Sequence, residues 1–196
     1  CGLNITIPYK SEIIKYVDIV DDVAFETGAI NVLKISYDKN FRTIKGFNTD
    51  VTGFRESLVP HLTGIDIRSA IVLGTGGSSK SVVYVLNKLG INIIHVSRRS
   101  EGEKIQYHEL SDKILSENRL IINTTPVGMF PYVEEKPVLN YNSLTADHIL
   151  YDLIYNPEIT AFLKEGKERG CKIIGGINML HLQAEKSWEI WNDPGI

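Results

Sequence analysis

Residues 70–89 decide the fold: Ala70-Ile71-Val72-Leu73-Gly74-Thr75-Gly76-Gly77-Ser78-Ser79-Lys80-Ser81-Val82-Val83-Tyr84-Val85-Leu86-Asn87-Lys88-Leu89. The apolar run Ala70–Leu73 ends in Gly74, and Gly76 and Gly77 follow at once. Apolar residues then recur at Val82, Val83, Val85, Leu86 and Leu89, the spacing of a helix face. The stretch reads as strand, tight glycine turn, helix. Such a turn aims backbone N–H groups and the positive end of a helix dipole at a phosphate. Gly74 permits the sharp exit from the strand, and Gly76 lets a pyrophosphate approach the backbone. Ser79 replaces the third glycine of the dinucleotide fingerprint with a side chain small enough for close helix–strand packing. A glycine-rich βα turn also occurs without any ligand, so the surrounding sequence has to decide.

Downstream, apolar strands are expected at Ile91–Val96, Leu120–Asn123, Ile149–Asp152 and Lys172–Ile174. Helices are expected at Ser78–Leu89 and Glu158–Arg169. Continuously apolar strands separated by helices predict a parallel sheet covered on both faces. Residues 125–142 carry three prolines and little periodicity, and are expected to loop over the sheet's edge. A final helix over Asn178–Trp191 contains two tryptophans, Trp188 and Trp191, as if it packed on something sizeable.

Upstream the rhythm differs. Cys1–Ile7 reads as a strand ended by Pro8, and Tyr9–Val20 has apolar residues at helical spacing. Ala29–Ser36 and Phe41–Gly46 read as a hairpin around Asp38-Lys39-Asn40. Asp50–Leu58 reads as a helix with Asn48 or Thr49 as its cap, stopped near Pro60. Residues 62–68 form a linker.

The 196 residues are 43% hydrophobic and 23% charged, ordinary for a globular protein. A net charge of −3 gives no reason to expect nucleic acid or an anionic membrane as partner, and no run reaches the roughly 18 apolar residues of a spanning helix. The two cysteines, Cys1 and Cys171, form neither a zinc spacing nor a disulfide framework and are expected in core strands. No metal site is expected, and a reducing, cytoplasmic location is the default. The strand Ile91–Val96 ends in Ser97-Arg98-Arg99-Ser100, with no acid until Glu101. An acid at that point selects NAD through the ribose hydroxyls, whereas guanidiniums suit the 2′-phosphate of NADP. NADP is the expected cofactor; a solvated arginine pair is the plain alternative.

Six segments in order carry a resemblance to one family. They are Gly2–Lys10, Thr27–Asn31, Gly46–Gly53, Asn123–Met129, Tyr151–Pro157 and Gly175–Ala184. Together they resemble the shikimate dehydrogenase family from Gly2 to about Trp191. That family interconverts 3-dehydroshikimate and shikimate with NADP, in the route to aromatic amino acids. The resemblance implies an α/β protein of two domains, with the active site between them. One is a truncated substrate-binding domain (1–61); the other is a Rossmann-like, doubly wound parallel sheet that binds NADP (62–176). A C-terminal helix (177–196) would pack back on the first.

By the same resemblance, Lys10 and Asp50 match the catalytic pair, and Thr6, Asn31, Tyr155 and Gln183 match residues that hold the substrate. Gly74, Gly76, Gly77, Ser78, Ser97, Arg98, Arg99, Thr124, Leu153, Gly176 and Met179 fall at cofactor-binding positions. Ser97-Arg98-Arg99 departs from the family's Asn-Arg-Thr, keeping the first arginine. A ring ketone needs a hydride from the nicotinamide and a proton for the alkoxide, which a lysine ammonium can both stabilise and supply. The family's preceding segment has a Ser-x-Ser that binds the substrate carboxylate, and nothing here matches it. The expectation is therefore a fragment that binds NADP but turns over shikimate poorly. The small-molecule substrate is shikimate or 3-dehydroshikimate, and the assembly a monomer or homodimer. A quinate/shikimate dehydrogenase using NAD and a non-catalytic NADP-binding module remain the alternatives.

Overall fold

The computed structural model describes residues 1–38, 41–99, 102 and 104–195. Lys39 and Asn40 of the expected hairpin turn, and Ser100 and Glu101 beyond the arginine pair, lie outside them. In chain order the strands and helices begin with β1 (Gly2–Asn4), β2 (Ile19–Val20), α1 (Asp22–Thr27), β3 (Val32–Asp38), β4 (Phe41–Phe47) and α2 (Asp50–Leu58). Then come β5 (Ser69–Leu73), α3 (Gly77–Lys88), β6 (Asn92–Ser97), β7 (Ile105–Gln106), α4 (Asp112–Glu117) and β8 (Leu120–Asn123). The chain finishes with β9 (Ile149–Asp152), α5 (Ala161–Glu168), β10 (Lys172–Ile174) and α6 (Ile177–Asn192).

The strands β5–β10 form a six-stranded parallel sheet in the order β10-β9-β8-β5-β6-β7. Numbered from β5 and read from the β7 edge, this is 3-2-1-4-5-6, the doubly wound order whose direction reverses between the first and fourth strands. Its central strands β5, β8 and β9 are apolar except for their terminal Ser69, Asn123 and Asp152, because both faces are covered. Ala70 and Val72 point with Leu120, Ile122 and Tyr151 into a core shared with α2, α3 and Met179 of α6. Ile71 and Leu73 point with Ile121 and Leu150 to the opposite core, against Leu115 of α4 and Phe162 and Leu163 of α5. That alternation is the strand period of two.

The smaller sheet has the order β1-β3-β4-β2, antiparallel except for the β2–β4 pair. Its own core is slight: Ala24, Ile30 and Leu33, backed by Ile5, Ile13, Ile14, Val17, Val20 and Ile44. The helical spacing in residues 9–20 therefore marks real inward-facing positions, but no α-helix forms. A short 3-10 turn spans Glu12–Tyr16 and the chain then extends into β2, where Asp18 Oδ2 accepts from Ile44 N at 2.7 Å and Asp18 N donates to Ile44 O at 2.9 Å. Pairing with β4 overrides the local period.

Three other expectations are corrected. Cys1 is exposed, and only Cys171 is buried, because β1 is an edge strand with little packed over it, although Cys1 and Ile35 exchange backbone hydrogen bonds. Trp188 stays two-thirds exposed, whereas Trp191 lies on Gly2 and donates to Leu33 O at 3.0 Å. Residues 125–142 do not cross an edge of the sheet: the strand before them, β8, is central, and two stretches of them line a cavity at the carboxyl ends of the strands. Periodicity held no sign of α1, β7 or α4, each only two to six residues long.

The two sheets are joined through α2. Phe54 is fully buried and meets the Tyr151 ring edge-on, with centroids 5.1 Å apart. Beside it the Tyr151 hydroxyl and Ser57 Oγ are 2.6 Å apart. Phe54→Ala is expected to lower stability by roughly 3–5 kcal/mol, since it empties the centre of the larger core. Chemical denaturation would measure this, and a loss below about 1 kcal/mol would show that α2 does not depend on that ring.

Candidate active site

Register sets the site's upper rim. Leu73 pairs with Val96 and Asn123, and Asn123 with Asp152, so β5, β6, β8 and β9 end at one level. A cavity of about 840 Å³ opens there, at the point where the strand order reverses. Gly74–Gly77 line it, with Ser97 at the end of β6 and Arg98 just past it, Thr124–Val127 after β8, and Ile7, Pro8 and Lys10 from the smaller unit.

Each glycine of the turn has its own reason. Gly74 has φ +102, and a Cβ there would meet Thr124 Oγ1 and Thr125 Cγ2 at 2.8 Å. Gly76 is the N-cap of α3, with open space where its side chain would be. No side chain caps that helix, so its first-turn N–H groups are left for an external acceptor. Gly77 is constrained from the other side: a Cβ would stand 2.9 Å from Lys10 Cβ. Ser79 is buried and donates to Gly74 O at 2.8 Å, closing the turn.

Arg98 lines the cavity; Arg99 is exposed and does not. Ser97 Oγ accepts from Arg99 N at 3.1 Å, so this serine shapes the turn that presents Arg98. Thr124 Oγ1 donates to Leu73 O at 2.6 Å and rests on Gly74.

Against the glycine turn, Lys10 and Asp50 meet, and of the two Lys10 lines the cavity. Lys10 is 9% exposed and Asp50 2%, and Nζ stands 2.6 Å from Asp50 Oδ2. Lys10 sits in the turn after Pro8, where its carbonyl accepts from Ile30 N at 2.7 Å. Asp50 opens α2, where the dipole favours its charge. Its other oxygen accepts from Asn31 Nδ2 at 2.9 Å. The Asn31 amide also approaches Thr49 Oγ1 at 2.9 Å and Gln183 Oε1 at 3.3 Å, while its oxygen accepts from Thr49 N at 2.8 Å. Thr49, one of the two expected caps, bonds no backbone N–H of α2 through its side chain; Asn48 Oδ1 accepts from Val51 N instead. The carboxylate thus has partners on both oxygens, as a charge this buried requires.

Lys10, Asp50, Asn31 and Gln183 are brought together with Ser78 beside the first two, and, besides Arg99, five other expected positions stand outside the cavity lining. Thr6 is exposed, and Tyr155 is half exposed outside the cavity lining. Met179 is buried in the larger core. Leu153 packs beside it, and Gly176 fits against the Leu153 carbonyl, 2.2 Å from where its Cβ would stand. These three support the site's frame without lining the cavity. Conversely, Gln106, Tyr107 and His108 line it along with Arg98, and Lys136, Pro137 and Val138 add another wall. Burial pushes the Tyr107 phenol up despite Arg98. The only sequence trace of that wall is the reciprocal cap between Gln106 and Glu109. Among the described residues, no group of three or more His, Cys, Asp or Glu could hold a metal ion, and no helix is long and apolar enough to cross a membrane.

Residues 1–33 match the family model described as the shikimate dehydrogenase substrate binding domain. The NADP(+) shikimate dehydrogenase of Methanococcus aeolicus is 40% identical, over 97% of this chain and 72% of the relative. Shikimate 5-dehydrogenase from Thermus thermophilus, solved in complex with NADP(H) and shikimate, superposes with a TM-score of 0.81 at 28% identity, covering 100% of this chain and 73% of that one. The quinate dehydrogenase of Corynebacterium glutamicum in complex with NAD gives 0.85 at 25% identity, with the same shares.

One buried acid near the rim has a different role. Asp152 accepts from Thr160 Oγ1 at 2.6 Å, Ile154 N at 3.0 Å and Asn123 Nδ2 at 3.1 Å. Asn123 in turn fixes Thr125 of the cavity wall. Burial outweighs these donors and pushes the Asp152 carboxyl up from 3.8 to about 6. The native state then holds this proton at a pH where the unfolded chain has released it. This group's contribution to stability falls between about pH 4 and 6 and is lower by about 3 kcal/mol above that window. Asp152→Asn is expected to flatten that part of the stability profile, measured as unfolding free energy against pH. An unchanged slope would refute the assignment.

Proposed function

The chain belongs to the shikimate dehydrogenase family, and from that premise we infer that it interconverts 3-dehydroshikimate and shikimate with NADP. The observation that carries this is the buried Lys10–Asp50 pair, whose lysine lines the same cavity as the uncapped glycine turn. Residues 1–61 with the C-terminal helix would hold the substrate, and residues 62–176 the dinucleotide.

The residues fit that cofactor. The first turn of α3 offers free N–H groups to a pyrophosphate, and Gly76 leaves room for its approach. Arg98 stands on the cavity wall just past β6, where a ribose phosphate would lie. When bound, the nicotinamide supplies or receives the hydride. Lys10 does the rest of the chemistry on the oxygen. Its ammonium steadies the charge developing on the carbonyl oxygen and delivers a proton to it. In the reverse direction the pair takes the hydroxyl proton. Asp50 orients the ammonium, held in turn by Asn31. Asn31 and Gln183 stand beside the pair and would receive ring hydroxyls. Thr6 and Tyr155 are assigned to the substrate on the strength of the resemblance alone.

The test is NADPH formation with shikimate by the protein extended at its N-terminus with the family's Ser-x-Ser segment, repeated with NAD and with quinate. Turnover is expected with NADP and shikimate. Lys10→Ala should lower kcat by roughly 10²–10⁴-fold while NADP affinity changes little. Wild-type turnover, or equal losses in both, would sink the catalytic role.

Arg98→Ala should raise the KM for NADP by about 10–100-fold, the worth of a charge-assisted hydrogen bond, and leave the KM for NAD nearly unchanged. A parallel rise for both cofactors would show that Arg98 does not read the 2′-phosphate.

A further inference from the structure

The hydroxyl of Ser78 is turned toward Lys10. Gly74, Thr75, Gly76 and Gly77 all line the cavity, and the next residue, Ser78, does not. Its Oγ lies 3.3 Å from Lys10 Nζ and 3.5 Å from Asp50 Oδ2, so it accepts from the ammonium and makes a long contact to the carboxylate. Gly77 makes this approach feasible, since any larger residue would push Lys10 away. Ser78 occupies the second position of α3, where its backbone N–H is among those left for a phosphate. One residue therefore faces the dinucleotide with its backbone and the proton-transfer pair with its side chain.

We propose that Ser78 is a positioning residue for proton transfer, its hydroxyl fixing the direction in which the Lys10 ammonium presents its proton. An ammonium has three N–H donors in tetrahedral array. Asp50 takes one and Ser78 takes another. With two donors held, rotation about the terminal bond stops and the third N–H points in one fixed direction. Lys10 itself borders the cavity, so that direction is available to a substrate oxygen. With Asp50 alone, the ammonium would sweep an arc, and misorientation of this kind slows the reaction without weakening binding. The arrangement also ties the turn that holds the cofactor to the group that moves the proton. This rests on the assignment of Lys10 and Asp50 as the proton-transfer pair.

The experiment compares Ser78→Ala, Ser78→Thr and Lys10→Ala with the unaltered protein, measuring kcat, the KM for shikimate and the equilibrium affinity for NADP. Ser78→Ala is expected to lower kcat by roughly 5–30-fold, the equivalent of one modest hydrogen bond, with NADP affinity and shikimate KM within about two-fold. Retained NADP binding shows that the variant is folded. Ser78→Thr, which keeps a hydroxyl, should recover most of the rate. Unaltered kcat in Ser78→Ala would overturn the proposal. So would a loss confined to NADP affinity, which would make the serine a cofactor contact. Undiminished turnover by Lys10→Ala would instead overturn the reading of the pair on which the proposal stands.

Discussion

A lysine and an aspartate buried beside each other constrain everything around them. Taking both charges out of water is costly, and their attraction offsets this only when the geometry is close and the remaining valences are met. Lys10 and Asp50 come from segments 40 residues apart, so each has to be held separately. Lys10 is pinned through its carbonyl by Ile30, and Asp50 by the start of α2 and the amide of Asn31. Asn31 is fixed in turn by Thr49, and Thr49 Oγ1 lies 3.2 Å from Ser187 Oγ on α6. The polar site is thus a chain of satisfied groups reaching from the first turn to the last helix.

That chain requires α2 and α6 to lie close together, and small residues permit it. A Cβ at Gly53 would meet Met179 O at 2.7 Å and Gln183 Cβ at 3.1 Å, so glycine there lets Gln183 reach Asn31. The helix α6 starts at Gly176 against the end of the large sheet and finishes over the small one, where Val32, Phe47, Ile190 and Trp191 form a core. At its far end Lys34 donates from beneath to Ile190 O at 2.8 Å and also to Asp193 O, capping the last turn with a buried cation. Since α2 is seated on the large sheet by Phe54 and Tyr151, both sides of the site pack on one shared helix.

The cofactor half of the site follows from register alone. Four strands end level, and the residue that closes or follows each contributes something different: a glycine with positive φ, a serine that shapes a turn, a threonine that packs on that glycine, and a leucine that seals the core. Asp152 and Asn123 show how such a rim is held, with one buried carboxylate gathering the loops after β8 and β9. Its raised proton affinity is the consequence of placing that anchor in the core.

Local patterns determined much of this protein. Apolar runs that end in glycine, asparagine or aspartate fix β5, β8 and β9, because strands covered on both faces leave no polar alternation to misread, and the short run before Gly175 fixes β10. The run from Gly74 to Ser79 fixes the turn that lines the cavity and the helix that follows it, and Asp50–Leu58 is delimited by its own first-turn acid and by Pro60. The motifs around Lys10 and Asp50 mark both residues, yet nothing local shows that they touch. Only the tertiary structure brings these two and Asn31 and Gln183, spread over 174 positions from Lys10 to Gln183, into one network. It also turned residues 9–20 into a 3-10 turn and strand, because β4 offered backbone partners that a helix would have refused. The same structure placed Met179 in the core, separated Arg98 from Arg99, and aimed the Ser78 hydroxyl at the lysine rather than the cavity. The physical reason is common to all of these: periodicity records which side of an element is buried, whereas the direction of a polar side chain depends on what packs opposite it.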